Sequence, residues 1–398
     1  MTTPPSSVSR FRLIPMAPRD PNEQGRSASM LELFFDLVFV VAVSIASVQL
    51  HHSLTQGHVL NGLAAYGLVF FGIWWAWMNF TWFATSFDTD DWLYRALTIV
   101  QMAGVLVLAT GIEPTFTDAD YTLPVLGFVV MRLAMVAQWL RAARSHASIR
   151  HTAQIYAGGI AAVQALWLLQ LTLPEVPGLI SLVLLIGVEV AIPVIAQRRG
   201  TIPWHPHHIT ERYGLFTLIL LGESLLASSN AIIEAVHDSE ALGPLISIAA
   251  LTFVATAALW WIYFWPPHHR SITSFGESLR YGYVHYFVFA AAGAFSAGVE
   301  VEIDVLTERS ELSNPAASFA VTVPVAIFLA GIWWIAIRDH ADRLVNTVVP
   351  LATVLVLCDP LIAFPVTLTA VVLMLVVVVL VLQPPVNTPG RARDTSHR

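Results

Sequence analysis

The sequence predicts an all-α polytopic membrane protein with about twelve transmembrane helices. Three observations predict this fold: 56% of the residues are hydrophobic, only 12% are charged, and long apolar runs recur from Met30 to Gln383. Soluble domains carry about 25% charged residues to cover a solvated surface. A run of about 20 apolar residues is what one helix needs to cross a hydrocarbon core. The runs do not alternate in polarity as the strands of a membrane barrel do, so we expect helices.

Twelve apolar segments are expected to cross the membrane. Asp359, Pro360 and Pro365 divide the last long run into two segments, because proline ends or kinks a helix. The predicted spans are 30–50, 60–84, 92–112, 121–143, 152–172, 178–197, 209–232, 245–265, 281–301, 316–337, 344–361 and 364–383.

The placement of the basic residues predicts the orientation of the chain. All 20 lysine-or-arginine positions are arginine. If the N-terminus is cytoplasmic, sixteen arginines fall in cytoplasmic segments and only Arg309 falls in an outer segment. Cytoplasmic loops of membrane proteins carry such an excess of basic residues. We therefore expect a multi-pass protein of the cytoplasmic (inner) membrane with both termini cytoplasmic, which requires an even number of spans.

The two halves of the apolar part resemble each other. Four short matches occur in the same order, and their offsets grow from 181 to 194 residues. Six spans return a chain to its starting side, so the halves would be parallel repeats, an arrangement found in secondary transporters. We predict a disordered cytoplasmic tail at 1–28, six-helix repeats at 29–200 and 201–383, and a second disordered cytoplasmic tail at 384–398. The matches pair Glu32 with Tyr213, Trp74 with Trp260, Gly111 with Gly298 and Trp139 with Trp333.

Ionisable residues inside the spans are candidates for a functional site, because charges in hydrocarbon are costly. Asp36 lies one helical turn after Glu32 in the first span. Arg132, Glu189 and Glu223 lie near the middle of the fourth, sixth and seventh spans, and Glu189 is the weakest of these candidates. Two interpretations stay open: a static ion pair that fixes helix packing, or a polar route in which Asp36, Glu223 and Arg132 bind a charged solute group.

Three aspartates, Asp88, Asp90 and Asp91, lie between the second and third spans. One interpretation is a helix N-terminus, where aspartate suits the helix dipole and Asp91 pairs with Arg95 one turn later. The alternative is a Mg²⁺ site, because clustered carboxylates can hold this metal on a diphosphate. This alternative predicts a membrane-embedded enzyme that acts on an isoprenoid or other lipid diphosphate. Outside it we predict no cofactor.

Other signals narrow the function further. The sequence contains no Walker A motif, nucleophile elbow, dinucleotide-binding glycine set or zinc-type histidine spacing. His285, inside the ninth span, is a candidate for proton transfer because histidine titrates near neutral pH. The single cysteine, Cys358, excludes a disulfide within the chain. The expected partners are the lipid bilayer and an unknown small solute or lipid, and no nucleic acid.

Four stretches resemble the bacterial low temperature requirement protein A family: 29–40, 74–79 with 87–91, 208–216 through 222–224, and 260–265. The likeness runs over about residues 28–383. It implies a multi-pass membrane protein, and it carries over no biochemical activity. It suggests that eight charged residues stand in characteristic motifs of the family: Glu32, Asp36, Asp88, Asp90, Asp91, Glu211, Arg212 and Glu223.

The function that the sequence favours is secondary transport of an unknown small solute, with proton coupling through Asp36 and Glu223. The apparent repeat and the asymmetric charges favour it, since Asp36 aligns with Thr217 and Glu223 aligns with Ala42. The alternatives are the Mg²⁺-dependent enzyme and a stress-linked membrane sensor.

Overall fold

The computed structural model describes residues 13–173, 175–237, 242–310, 312–362 and 366–386. All regular secondary structure in these ranges is helical, and a helix lies at each of the twelve predicted segments. The α-helices are α1 (Met30–Thr55), α2 (Val59–Phe87), α3 (Trp92–Thr110), α4 (Ile112–Asp118), α5 (Thr122–Ser145), α6 (Arg150–Gln170), α7 (Glu175–Gln197), α8 (Pro206–His237), α9 (Leu242–Phe264), α10 (Phe275–Leu306), α11 (Asn314–Ile332), α12 (Val345–Val356) and α13 (Thr367–Leu382).

Nine helical segments in the described part of the chain are long and apolar enough to cross a membrane. Two further apolar helices, α12 and α13, are shorter, and α8 does not belong to the nine. The predicted helical membrane protein is therefore confirmed, whereas the count of twelve spans stays a prediction. The nine segments are Met30–Thr55, Val59–Phe87, Trp92–Asp118, Thr122–Ser145, Ala147–Gln170, Ile180–Gln197, Leu242–Phe264, Phe275–Leu306 and Asn314–His340.

Local capping explains why the start of α10 differs from the predicted start of the ninth span. Helix α10 begins at Phe275 rather than near residue 281, because Ser274 and Glu277 form a capping box. The Glu277 carboxylate accepts the Ser274 N–H at 3.0 Å, and the Ser274 hydroxyl accepts the Glu277 N–H at 3.3 Å. Ser274 precedes a polar first turn, so hydropathy alone did not place this start.

The start of α13 is held by a buried aspartate. Asp359 is fully buried and accepts the N–H groups of Leu368 and Thr369, each at 3.2 Å. N–H groups in the first turn of a helix have no partner inside the helix, so this carboxylate satisfies two of them. The predicted break near Pro360 is therefore also a capping site.

The described residues form two compact units. The first contains the residues up to Ser53 together with His58–Phe216, and the second contains Leu54–Gly57 together with the residues from Thr217. The division falls inside α8, whereas the sequence predicts it after residue 200. Arg212 therefore belongs to the first unit and Glu223 to the second.

Residues 13–28 make specific contacts within the first unit, although the sequence predicts disorder for them. Ile14 donates its N–H to the Asp91 carboxylate at 2.9 Å, and Arg19 donates its N–H to the Ser86 carbonyl at 2.9 Å. Met16 is fully buried. The segment differs from a disordered tail because it buries an apolar side chain and satisfies backbone groups. Residues 1–12 lie outside the described residues.

Glycines allow very close packing of two helix pairs, one in each unit. A Cβ atom added at Gly127 of α5 would lie 2.4 Å from the Leu108 nitrogen of α3. One added at Gly298 of α10 would lie 2.2 Å from the Ala320 oxygen of α11. These are backbone atoms, so a side chain can enter only if the helices move apart. Small residues serve this purpose at helix–helix contacts in membranes.

Candidate functional site

A buried ionic cluster joins the beginning of α1 to the beginning of α8 in the first unit. Arg212 donates through Nη2 to Asp36 Oδ1 at 2.6 Å and through Nε to Asp36 Oδ2 at 3.1 Å. Its Nη1 lies 2.8 Å from Glu32 Oε1, an ion pair that lacks the angle of a hydrogen bond. All three side chains are at most 1% exposed. One guanidinium thus serves two carboxylates.

Further donors fix this cluster. Trp77 donates its indole N–H to Asp36 Oδ1 at 2.7 Å, and Ser29 donates its backbone N–H to Glu32 Oε2 at 2.8 Å. His208 Nε2 lies 3.3 Å from Glu32. With both carboxylates ionised and the imidazole neutral, the two acids and one guanidinium carry a net charge of −1.

Helical spacing explains how the sequence builds the cluster. Glu32 and Asp36 are separated by one turn of α1 and share a face. Ser29 and Glu32 also form a capping box, since the Glu32 N–H reaches the Ser29 hydroxyl at 3.3 Å. On α8, Arg212 is buried while its neighbour Glu211 is exposed. Of the charged residues in the family-like motifs, the structure thus brings Glu32, Asp36 and Arg212 together and leaves Glu211 outside.

A second buried ion pair also lies in the first unit. Arg132 donates through Nη2 to Glu189 Oε2 at 2.9 Å. Trp75 donates to the same oxygen at 2.8 Å, and Gln164 donates to Glu189 Oε1 at 2.8 Å. Helices α2, α5, α6 and α7 each contribute one of these residues. Glu189, the weakest candidate in the sequence, is thus the partner of Arg132. The sequence signal for this pair was that opposite charges lie at a similar position in two spans.

Asp91 is a structural residue at the beginning of α3. It is the N-cap, and its Oδ1 accepts the Tyr94 N–H at 2.9 Å. Arg141 of α5 donates to both oxygens of the same carboxylate and to the Ile14 carbonyl. The predicted helix N-terminus is confirmed. The predicted pairing of Asp91 with Arg95 is wrong, because Arg141 occupies that carboxylate.

The other two aspartates of this segment also face arginines. Asp90 is exposed and pairs with Arg95 at 2.7 Å, while Asp88 Oδ2 lies 3.7 Å from Arg19 Nη1. In the described ranges, no group of three or more histidine, cysteine, aspartate or glutamate side chains is placed to hold a metal ion. A Mg²⁺ ion at these aspartates would have to displace their arginine partners.

Asp88 lies outside the helices and titrates at an unusual pH. Burial raises the pKa of its carboxyl from 3.8 to about 6, and the nearby Glu32 charge adds to the effect, while Arg26 and Arg19 oppose it. A carboxyl with a higher pKa in the folded than in the unfolded protein binds more protons when folded. Its contribution to stability is therefore fully present below pH 3.8 and is lost as the pH rises towards 6.

Asp88→Asn should remove this dependence. We expect the variant to unfold at a higher temperature than the wild type at pH 7, and the difference should disappear near pH 4. Thermal unfolding of the detergent-purified protein between pH 4 and pH 8 measures both midpoints. Asp90→Asn, at an exposed position two residues away, is the matched control and should show no such trend. A wild type that is more stable than Asp88→Asn at pH 7 would contradict the assignment.

In the second unit, His285 belongs to a hydrogen-bonded group of aromatic side chains. Its Nδ1 donates to the Tyr281 carbonyl at 2.7 Å, so its Nε2 accepts from the Tyr263 hydroxyl at 3.1 Å when the ring is neutral. His268 lies between helices and bonds to the Tyr263 carbonyl and the Tyr281 hydroxyl. Burial lowers the pKa of His268 to about 4. His285 is thus fully buried and satisfied, and its proton-transfer role stays a prediction.

Two acidic residues of the second unit lie in or beside buried polar groups. Glu223 is half-buried on α8, beside Ser224, whose hydroxyl lies 2.8 Å from that of Thr256. Glu302 is fully buried near the end of α10 and accepts from the Ser318 hydroxyl at 2.8 Å. Sequence reasoning missed Glu302, because a glutamate near a predicted span end has the pattern of an interfacial residue.

Comparisons with known proteins agree with the helical membrane architecture. The sequence model described as bacterial low temperature requirement A protein matches residues 27–382. A curated protein of Rhizobium meliloti (strain 1021), named only as an uncharacterized protein, is 29% identical over 264 residues. That alignment covers 64% of this chain and 62% of the relative. The family match begins near the end of the N-terminal segment that packs on Asp91 and Ser86.

Proposed function

Because the chain belongs to the bacterial low temperature requirement A family of membrane proteins, we propose that it is a secondary transporter that couples the movement of a small solute to protons. The observation that carries the proposal is the cluster in which Glu32 and Asp36 share Arg212. Arginine stays protonated in proteins, so any charge change in the cluster must come from the acids or His208. Uptake of one proton removes the net charge of −1.

Burial of the cluster strengthens the effect of this charge change on the surrounding structure. Charges inside membrane-spanning helices are costly and mark ion and proton pathways. Arg212, Glu32 and Asp36 are fully buried, so a proton that binds there changes the local electrostatics with little screening by water. The protonated cluster and the ionised cluster can then favour two different packings of the surrounding helices. Proton-coupled transport requires two such states.

A proton donor lies at the predicted cytoplasmic edge of the cluster. Asp88 is 14% exposed and has a pKa of about 6, so it exchanges protons with solvent near neutral pH. Its charge interacts with that of Glu32. Asp88 is therefore the proposed entry residue, with Glu32 and Asp36 as the inner proton acceptors. Glu223 stays a predicted residue of the same route.

Equivalent glycines support the proposed repeat that underlies the transporter. A Cβ at Gly111 would lie 2.8 Å from the Pro124 nitrogen, and one at the aligned Gly298 would lie 2.2 Å from the Ala320 oxygen. Each glycine thus allows the next long helix of its own unit to pack very closely against it. Gly111 lies at the end of α3 and Gly298 lies inside α10, so the two glycines share a close approach to the next helix and not the same place in their own helix.

Solute-driven proton flux tests the proposal. The full-length protein is reconstituted in liposomes that contain a pH-sensitive dye, and inward gradients of carboxylates, amines, sugars and amino acids are imposed in turn. We expect at least one solute class to drive proton movement in the wild type and Asp36→Asn to reduce it at least tenfold. Asp36→Asn leaves Arg212 paired with Glu32, so insertion and folding should persist, as size-exclusion chromatography can show.

Asp90→Asn is the matched control, because Asp90 is an exposed aspartate that pairs with the equally exposed Arg95. It should transport like the wild type. Normal flux in both Asp36→Asn and Glu32→Gln would exclude the cluster as the coupling site. A wild type that moves protons with none of the solutes would count against transport itself.

A further inference from the structure

The first unit contains a cavity of about 510 Å³ that no part of the proposed coupling cluster lines. Its walls are mostly apolar, and its rim includes the turn 118–122 between α4 and α5. Cavities of this size that combine apolar walls with a few polar groups are typical of small-molecule sites. The residues at its inner end decide which chemistry it accepts.

The inner end of the cavity lies about one helical turn from the buried polar group around Arg132 and Glu189. This spacing holds on four separate helices. On each of these helices, one of the wall residues lies three or four positions along the chain from the residue that belongs to the buried polar group. On α5, Arg132 lies ten residues after Thr122, about 15 Å along the helix axis. The pairs of wall residue and polar residue are Phe71 with Trp75, Phe128 with Arg132, Trp167 with Gln164, and Ile186 with Glu189.

Arg132 has unused donor capacity at this place. Only Nη2 donates to Glu189, and among the described residues neither Nε nor Nη1 has a hydrogen-bond partner. The side chain is 1% exposed, and its guanidinium carbon lies 5.8 Å from the centroid of Phe128, which forms part of the cavity wall. Arg132 is not itself part of the cavity wall. Helical side chains point towards the N-terminus of their helix, so its guanidinium lies behind the Phe128 ring, on the side of the cavity.

Trp167 supplies a second donor. It lines the cavity, is 7% exposed, and its indole N–H has no partner in the described part of the chain. Buried N–H groups without a partner are costly, and a ligand that accepts from them recovers that cost. The unused donors of a guanidinium and an indole favour a ligand with an anionic acceptor. The apolar walls favour a ligand with a hydrocarbon body.

We propose that this cavity binds a monocarboxylate with an apolar body, whose carboxylate accepts from Arg132 and Trp167. The rim carries Asp118 and Asp120, which disfavour a second negative charge at the outer end of the ligand. That this carboxylate is also the transported solute rests on the proposed function. Its binding does not, because the cavity is distinct from the Glu32–Asp36–Arg212 cluster.

Calorimetric titration of the full-length protein in nanodiscs tests the site, with empty nanodiscs to subtract lipid partitioning. The probes are hexanoate and phenylacetate, with hexanamide, phenylacetamide and hexylamine as matched ligands. We expect both carboxylates to bind at least tenfold more tightly than their amides and than hexylamine. Equal binding of acid and amide, or a preference for hexylamine, would overturn the proposal.

Two variants locate the binding. Trp167→Phe keeps the ring but removes the donor, and loss of a hydrogen bond to a charged group should weaken carboxylate binding about tenfold to a hundredfold. Trp139→Phe is the matched control: Trp139 is 5% exposed and its indole N–H also lacks a partner among the described residues, but it does not line the cavity. Equal effects of the two substitutions would overturn the assignment.

Gly72→Leu fills the cavity from α2. Gly72 lines it, and an added Cβ would meet only Leu108 at an ordinary 3.6 Å, so the fold should tolerate the change. We expect carboxylate binding to be lost, and unchanged binding would exclude this cavity. Carboxylate binding without any solute-driven proton flux would refute transport and leave the site intact. Proton flux driven by other solutes, without carboxylate binding, would refute the site and leave transport intact.

Discussion

Replacing Arg212 with glutamine is expected to destabilise the protein by about 3–5 kcal/mol, the range for removal of one partner from a buried ionic group. Arg212 is the cation that contacts both Glu32 and Asp36 at 2.6–2.8 Å. Without it, two fully buried carboxylates face each other one helical turn apart. The expected result is a large fall in the thermal unfolding midpoint of the purified protein at neutral pH.

Matched variants distinguish the effect of losing Arg212 from the effect of losing an arginine elsewhere. Arg95→Gln removes an arginine that is 57% exposed in its pair with Asp90, and exposed pairs contribute only about 0–1 kcal/mol. The double variant Arg212→Gln/Asp36→Asn should recover part of the lost stability, because only one buried charge remains. If Arg212→Gln unfolded at the same temperature as Arg95→Gln, the ionic cluster would not stabilise the fold.

Gly298→Ala is expected to have the second largest effect, about 3 kcal/mol, the upper end of the usual cost of overpacking. The added Cβ would lie 2.2 Å from the Ala320 oxygen and 2.8 Å from the Val321 nitrogen. Both are backbone atoms of α11, so no side-chain rotation can relieve the clash. Helices α10 and α11 must separate, and their packing would loosen over its whole length.

Gly158→Ala is the matched control, since an added Cβ on α6 meets no atom within 4 Å. There the substitution should be neutral or stabilise by up to about 1 kcal/mol through helix propensity. Thermal unfolding of both variants in the same detergent gives the comparison. Equal midpoints would mean that α10 and α11 are farther apart in the membrane than these distances imply.

Much of the fold could be predicted from hydropathy, because each helix that lies in hydrocarbon must satisfy its own backbone and present apolar side chains. The runs around Met30–Thr55 and Asn314–Ile332 show this plainly. The helix ends were harder to predict from the sequence, because Ser274 and Asp359 act through hydrogen bonds that hydropathy does not measure. The contacts of residues 13–28 were missed because the segment has no apolar run of the length that hydropathy detects.

The candidate site divides in a similar way. The sequence by itself determined which charges lie inside apolar segments, because a charged residue in an apolar run can be read directly from the sequence. These residues are Glu32, Asp36, Arg132, Glu189 and Glu223, and the family resemblance indicated Arg212. Only the tertiary structure decided how they pair. Asp36 and Arg212 are 176 positions apart, and Arg132 and Glu189 are 57 apart. An ion pair depends on a distance of a few ångströms between side chains, and the packing of helices α1, α5, α7 and α8 sets that distance.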